Sequence, residues 1–136
     1  MNFTTGIVLP TTLSLAAAAA ITNLWLSIRI GALRQKHKVS VGDGGNEAIQ
    51  RRMRAQLNFA ENTFLVLVLV AAIELSGHGG WWLPLVALVY AVGRILHGLG
   101  MDGGRLQWGR MVGTLVTMLT LVGLAGVAAW LAFRYS

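Results

Sequence analysis

The sequence predicts an all-α integral membrane protein, a four-transmembrane-helix antiparallel bundle. Three observations predict it. Of the 136 residues, 55% are hydrophobic and only 12% charged, against about 25% charged in a soluble domain; the mean hydropathy is +0.64. The apolar residues fall into four runs, each close to the roughly 20 residues a helix needs to cross a bilayer. Ten of the eleven Lys and Arg lie in two short stretches, residues 29–54 and 94–110, with Arg134 alone elsewhere.

The first span covers about residues 7–30. The first 28 residues carry no charged side chain, and the positives Arg29, Arg34, Lys36 and Lys38 follow the apolar run. A secretory signal has its positive region first, so a retained first span entering from outside is expected. Residues 36–46, with Asp43 among Gly42, Gly44 and Gly45, read as a flexible polar loop. The second span covers about residues 55–75. Its uncharged core is short, so Asn58 and Glu61 belong within the helix, and residues 47–54, free of Gly and Pro, extend it into the cytoplasm. Residues 76–80 are a tight Gly-rich turn. The third span, about residues 81–101, has Pro84 in its first turn, where a missing N–H costs little, and contains Arg94 and His97. After a tight turn at 102–104, the fourth span covers about residues 111–133, without a charge. There is no internal repeat, and residues 1–136 read as one membrane domain.

Charge placement sets the orientation. Lys and Arg collect on the cytoplasmic side, which puts loops one–two and three–four inside, and both termini and the 76–80 turn outside. Trp25 and Trp108 then fall near the inner boundary, and Trp81, Trp82, Trp130 and Tyr135 near the outer one, as an aromatic belt requires. The net charge of +6 flanks apolar spans, so nucleic-acid binding is not expected. The absence of Cys excludes disulfides, thiol nucleophiles and thiolate metal sites. His37 and His78 fall in different loops from the helical His97, so no metal site is expected either.

Arg54, Asn58 and Glu61 are spaced by four and three, which places them on one face of helix two. A carboxylate at the centre of a span costs about 2.5–3.5 kcal/mol, so Glu61 needs a cation or a polar cavity: either a structural ion pair, for instance with Arg94, or a ligand. On helix three, Arg94 either snorkels to the headgroups or joins a site, and His97 is either a packing residue or a ligand-binding one. Arg110, Thr114 and Thr117 form a polar stripe on helix four, the threonines being suited to backbone hydrogen bonding. Gly109 and Gly113 form a GxxxG close-packing signal. Glu74, near the outer face, has no evident partner and reads as interfacial. Three helices thus aim Arg54, Asn58, Glu61, Arg94, His97 and Arg110 at one end. Arginine forks bind carboxylates bidentately and a Glu accepts from an ammonium group, so the cluster suits a small zwitterionic or anionic ligand. The adjoining apolar bundle suits a lipophilic second substrate arriving from the membrane.

The segment Arg54-Ala55-Gln56-Leu57-Asn58-Phe59-Ala60-Glu61 resembles the R-A-x-x-N-x-x-E signature of the MAPEG family, the membrane-associated proteins of eicosanoid and glutathione metabolism. Gly93-Arg94-Ile95-Leu96-His97 resembles that family's G-R-x-x-H element, and Arg110, sixteen residues after Arg94, matches an Arg opening its fourth helix. The resemblance is to a prokaryotic-type, microsomal glutathione S-transferase-like member, with a bacterial inner membrane as the expected location. It implies a homotrimer that binds glutathione as co-substrate between subunits near the cytoplasmic face. It implies Arg110 as the residue that stabilises the glutathione thiolate, and Arg54, Asn58, Glu61, Arg94 and His97 as binding residues, with Arg34 reaching the glutathione carboxylates. Leu57, Met101, Met111 and Thr114 depart from some members and speak against prostaglandin or leukotriene chemistry. The expected function is a glutathione-dependent transferase or peroxidase acting on lipophilic electrophiles. The alternatives are a non-catalytic module binding membrane lipid or a partner, and a small multidrug-type transporter. A transporter needs an ionisable residue reached from both sides in turn, whereas the charges here gather at one end.

Overall fold

The computed structural model describes residues 6–136. The chain forms α1 (Pro10–His37), α2 (Glu47–Leu75), α3 (Trp82–Gly100), a single 3₁₀ turn at Gly104–Leu106, and α4 (Trp108–Tyr135). All four α-helices are long and apolar enough to cross a membrane, and no strand occurs among the described residues. The protein is an all-α four-helix membrane bundle.

Pro10 opens α1 at a position where its missing N–H is not needed. The donors that follow are met from another helix. Near the end of α2, Glu74 accepts hydrogen bonds from the backbone N–H groups of Thr11 and Thr12, both at 2.8 Å, and from the Thr12 hydroxyl at 2.7 Å. A carboxylate there satisfies orphan amides and complements the positive end of the helix dipole. This corrects the expectation that Glu74 is an unpartnered interfacial residue: it caps α1. At its other end α1 continues about two turns past the apolar run. A helix ends where its backbone conformation changes, not where the hydrocarbon does. Lys38 breaks it in the left-handed region at φ 55°, and the Val39 N–H closes on the Arg34 carbonyl at 2.9 Å. The α2 helix begins at an Asn46 side-chain cap, which accepts from the Ile49 N–H at 3.1 Å, and the segment 47–54 is helical.

The most intimate packing is between α3 and α4. A Cβ on Gly109 would lie 2.5 Å from the Leu96 carbonyl oxygen, and one on Gly113 would lie 2.5 Å from both the Gly93 oxygen and the His97 Cβ. The GxxxG pair is therefore a seam inside the chain. Gly113→Ala is expected to push the helices apart and to destabilise the bundle by about 1–3 kcal/mol, the usual cost of overpacking. Unfolding in mixed micelles measures it, and an unchanged midpoint would mean that the seam is looser than these distances.

Toward the α2–α3 turn the core is apolar, with Val66, Val70, Ile73, Leu83 and Leu124 buried together. Toward the opposite end only Leu26, Ala55 and Phe59 form a buried apolar cluster. Between them the interior is polar: Thr63 and Tyr90 share a 2.8 Å hydrogen bond, and Arg94 lies a turn further on. Large apolar side chains such as Leu24, Ile28, Phe64, Leu88, Leu119 and Val122 face outward, the surface a lipid environment requires. Residues 1–5, and with them the expected outside position of the N-terminus itself, lie outside the described residues.

Candidate functional site

The end of the bundle that carries the α1–α2 and α3–α4 connections gathers most of the cations, and part of this charge is consumed structurally. Asp102, in the α3–α4 connection, pairs with Arg29 and takes two bonds from Arg52, at 3.1 and 3.2 Å. Arg29 also donates to the Gly98 carbonyl at 3.0 Å and stacks on Trp25, 4.7 Å from the ring centre. Arg52 reaches the Arg29 carbonyl at 2.7 Å. Arg51 pairs with Glu47 one turn away at 2.6 Å. Asp102 thus ties α1, α2 and the α3–α4 turn together. The sequence offered one signal for this role: Asp102 is the lone acid between Arg94 and Arg110.

The candidate arginines behave differently. Among the described residues, Arg34, Arg54, Arg94 and Arg110 form no ion pair, whereas Arg29, Arg51 and Arg52 each do. The site end therefore holds uncompensated positive charge where an anionic ligand would neutralise it. The exposed Arg105 likewise forms no ion pair among the described residues.

Arg94 is the centre of one group. It is only 2% exposed. Its Nη1 donates to Thr117 Oγ1 at 2.9 Å, and its Nη2 donates to Asn58 Oδ1 at 2.8 Å and, more weakly, to His97 Nδ1 at 3.4 Å. The structure thus brings Asn58, Arg94 and His97 together, with Thr117 of the helix-four polar stripe as a further member. Thr117 does also donate to the Gly113 carbonyl, and Thr114 to the Arg110 carbonyl, each at 2.8 Å. Two of the alternatives that the sequence leaves open are not what the structure shows. Arg94 does not snorkel, because its acceptors lie inward on α2 and α4. It does not pair with Glu61, which is exposed on the outside of α2.

A second group lines a groove of about 680 Å³ between α1 and α2: Arg34, Arg54, Gln50, Gln56, Asn23 and Asp43. Arg34 is oriented by donating to the Gly42 carbonyl at 2.9 Å, and Gln56 donates to Asn23 at 3.2 Å. The groove therefore offers two cations and several amides, with Asp43 of the α1–α2 connection as an acidic wall.

Glu61 and Arg110 stand apart from both groups. Each is exposed, and neither side chain makes a hydrogen bond or ion pair among the described residues. Glu61 shares its outward stripe with Leu57, Phe64, Leu65 and Val68. A carboxylate facing hydrocarbon is costly unless a cation or a polar surrounding offsets it. Arg110 borders a small cleft with Gly100, Met101 and Gln107. One chain therefore presents a preformed donor cluster, a basic groove and two unsatisfied charges on its flanks, and does not close them round a single cavity.

Among known proteins, residues 12–130 match the sequence pattern of the MAPEG family. The chain is 28% identical over 109 residues to the inner membrane protein YecN of Escherichia coli K12, a match covering 79% of this chain and 83% of that protein. A protein of the same name from E. coli O6:H1 matches to the same extent.

Proposed function

The chain belongs to the MAPEG family, and from that premise we propose that it is a glutathione-dependent transferase or peroxidase acting on lipophilic electrophiles at a bacterial inner membrane. The observation that carries this reading is that the four candidate arginines, Arg34, Arg54, Arg94 and Arg110, have no carboxylate partner among the described residues at one end of an apolar bundle. Glutathione brings two carboxylates, an ammonium group and a thiol. Arg34 and Arg54 suit its carboxylates, Glu61 its ammonium, and Asn58 and His97 its amide carbonyls or carboxylates. Arg110 stabilises the thiolate, because a neighbouring cation lowers a thiol pKa. The thiolate attacks an electrophilic carbon, a C–S bond forms, the leaving group departs with its electron pair, and the thiol proton goes to solvent. Glu61 and Arg110 lie on the flanks of the chain, which supports a homotrimer with glutathione between subunits.

Assaying purified protein with glutathione and an aryl halide tests the activity. Conjugate forming well above the uncatalysed rate is the expected result, and binding without turnover would move the non-catalytic lipid module ahead. An apolar groove of about 300 Å³ between α1 and α3, lined by Pro10, Leu15, Ala18, Pro84, Ala87 and Leu88, suits a lipid chain under either reading.

The proposed orientation puts residues 36–46 in the cytoplasm and 77–80 outside, from the charge split. The chain has no native thiols, so Cys placed at position 78 should react with an impermeant maleimide from the outside only. Labelling from the cytoplasm only would invert the topology.

A further inference from the structure

We infer that Arg94 is a positioning residue that turns one N–H group of Asn58 and one of His97 toward the ligand, so that this part of the site recognises hydrogen-bond acceptors, a carboxylate or a carbonyl, and not an ammonium group. The ligand's identity rests on the glutathione reading; the geometry does not.

The orientation follows from a one-way chain of donors. The Thr117 hydroxyl spends its proton on the Gly113 carbonyl at 2.8 Å, so it meets Arg94 with a lone pair and accepts from Nη1 at 2.9 Å. Arginine has five N–H donors and no acceptor. Whatever it touches must therefore turn an acceptor toward it. Nη2 has two protons and two neighbours, Asn58 Oδ1 at 2.8 Å and His97 Nδ1 at 3.4 Å. The Asn58 amide, ambiguous by shape alone, is thus fixed with its oxygen inward and its NH₂ away from Arg94. His97 offers Arg94 the lone pair of Nδ1, which in a neutral ring leaves the proton on Nε2.

Both remaining donors stay available. Neither Asn58 Nδ2 nor His97 Nε2 has a hydrogen-bond partner among the described residues, and neither is sealed off: the one buried side-chain atom without a partner is Arg94 Nε. Asn58 and His97 answer to the same Arg94 nitrogen, so one side chain sets the orientation of both. A purely structural role explains this poorly. A guanidinium buried without a carboxylate is costly, and an apolar side chain of similar volume often serves packing better.

Asn58→Asp separates the two roles. It keeps the oxygen that Arg94 needs, supplies the missing counter-charge, and replaces the outward N–H by an acceptor. The expected result is a folded protein at least as heat-resistant as wild type with glutathione affinity lowered about tenfold or more, the loss of a hydrogen bond to a charged group plus a new repulsion. Wild-type affinity in Asn58→Asp would overturn the inference. A second measurement needs no ligand. The ¹⁵N spectrum of detergent-solubilised protein, with His97 assigned by its loss in His97→Gln, should show the neutral ring protonated at Nε2. A proton on Nδ1 would overturn the inference too. An Nε2–H ring in a protein that binds no glutathione would leave the positioning role standing and remove the glutathione reading instead.

Discussion

Arg110→Ala should lose most of its turnover while retaining much of its affinity for glutathione. Arg110 opens α4 at the basic end, is exposed, and has no ion pair among the described residues. Its charge is therefore available to a ligand. A guanidinium is ionised at any working pH, so it favours thiolate over thiol without titrating itself. Each unit of thiol pKa lowering corresponds to about 1.4 kcal/mol. Removing the cation returns bound glutathione toward its solution behaviour, in which little thiolate is present at neutral pH. The competing reading makes Arg110 a headgroup anchor like Arg105, which sits in the exposed 3₁₀ turn. An anchor tolerates Lys, and its loss lowers expression more than specific activity. Conjugation rate and glutathione affinity, measured for wild type, Arg110→Ala and Arg105→Ala, separate the two. Equal specific activity in wild type and Arg110→Ala would exclude Arg110 as the activator.

Glu61→Gln should weaken glutathione binding about ten- to a hundredfold, since a hydrogen bond to a charged group contributes roughly 1.5–3 kcal/mol. The fold should survive. In the sequence, an equally good reading paired Glu61 with Arg94, and on that reading the mutation would strand a buried cation and prevent folding. The structure gives Arg94 other acceptors, Asn58 and Thr117, and leaves Glu61 on the outward face of α2. Calorimetric titration with glutathione, together with size-exclusion chromatography of the same sample, reads both consequences. Normal affinity in an assembled variant would remove Glu61 from the site. Failure to assemble would assign it to an ion pair between subunits.

The two glutamates show where sequence reasoning stops. Four membrane helices were legible because the length of an apolar run and the placement of Lys and Arg are local properties of the chain. The shared face of Arg54, Asn58 and Glu61 was legible from helical periodicity. What that face meets was not: Arg54 opens into the α1–α2 groove, Asn58 turns to Arg94 on α3, and Glu61 faces outward. Periodicity gives a direction around one axis and says nothing of the neighbour placed there. Arg94 illustrates the same limit, since the acceptors that hold it inside the bundle lie 36 and 23 residues away in sequence. Glu74 capping α1 and Asp102 locking Arg29 to Arg52 are likewise long-range contacts, and each reads from sequence as an unremarkable acid near a helix end. The GxxxG of α4 was a weak signal in a chain with 17 glycines. Only the approach of the Leu96 and Gly93 carbonyls gives it meaning.

We propose that this MAPEG protein binds glutathione and holds it as thiolate. The most direct measurement is the ultraviolet difference absorbance of purified wild-type protein on adding glutathione at neutral pH, with S-methyl glutathione, which cannot ionise at sulfur, as the control. A saturable thiolate signal is expected with glutathione and none with the methylated analogue. A flat trace with glutathione, in protein shown by chromatography to be assembled, would contradict it.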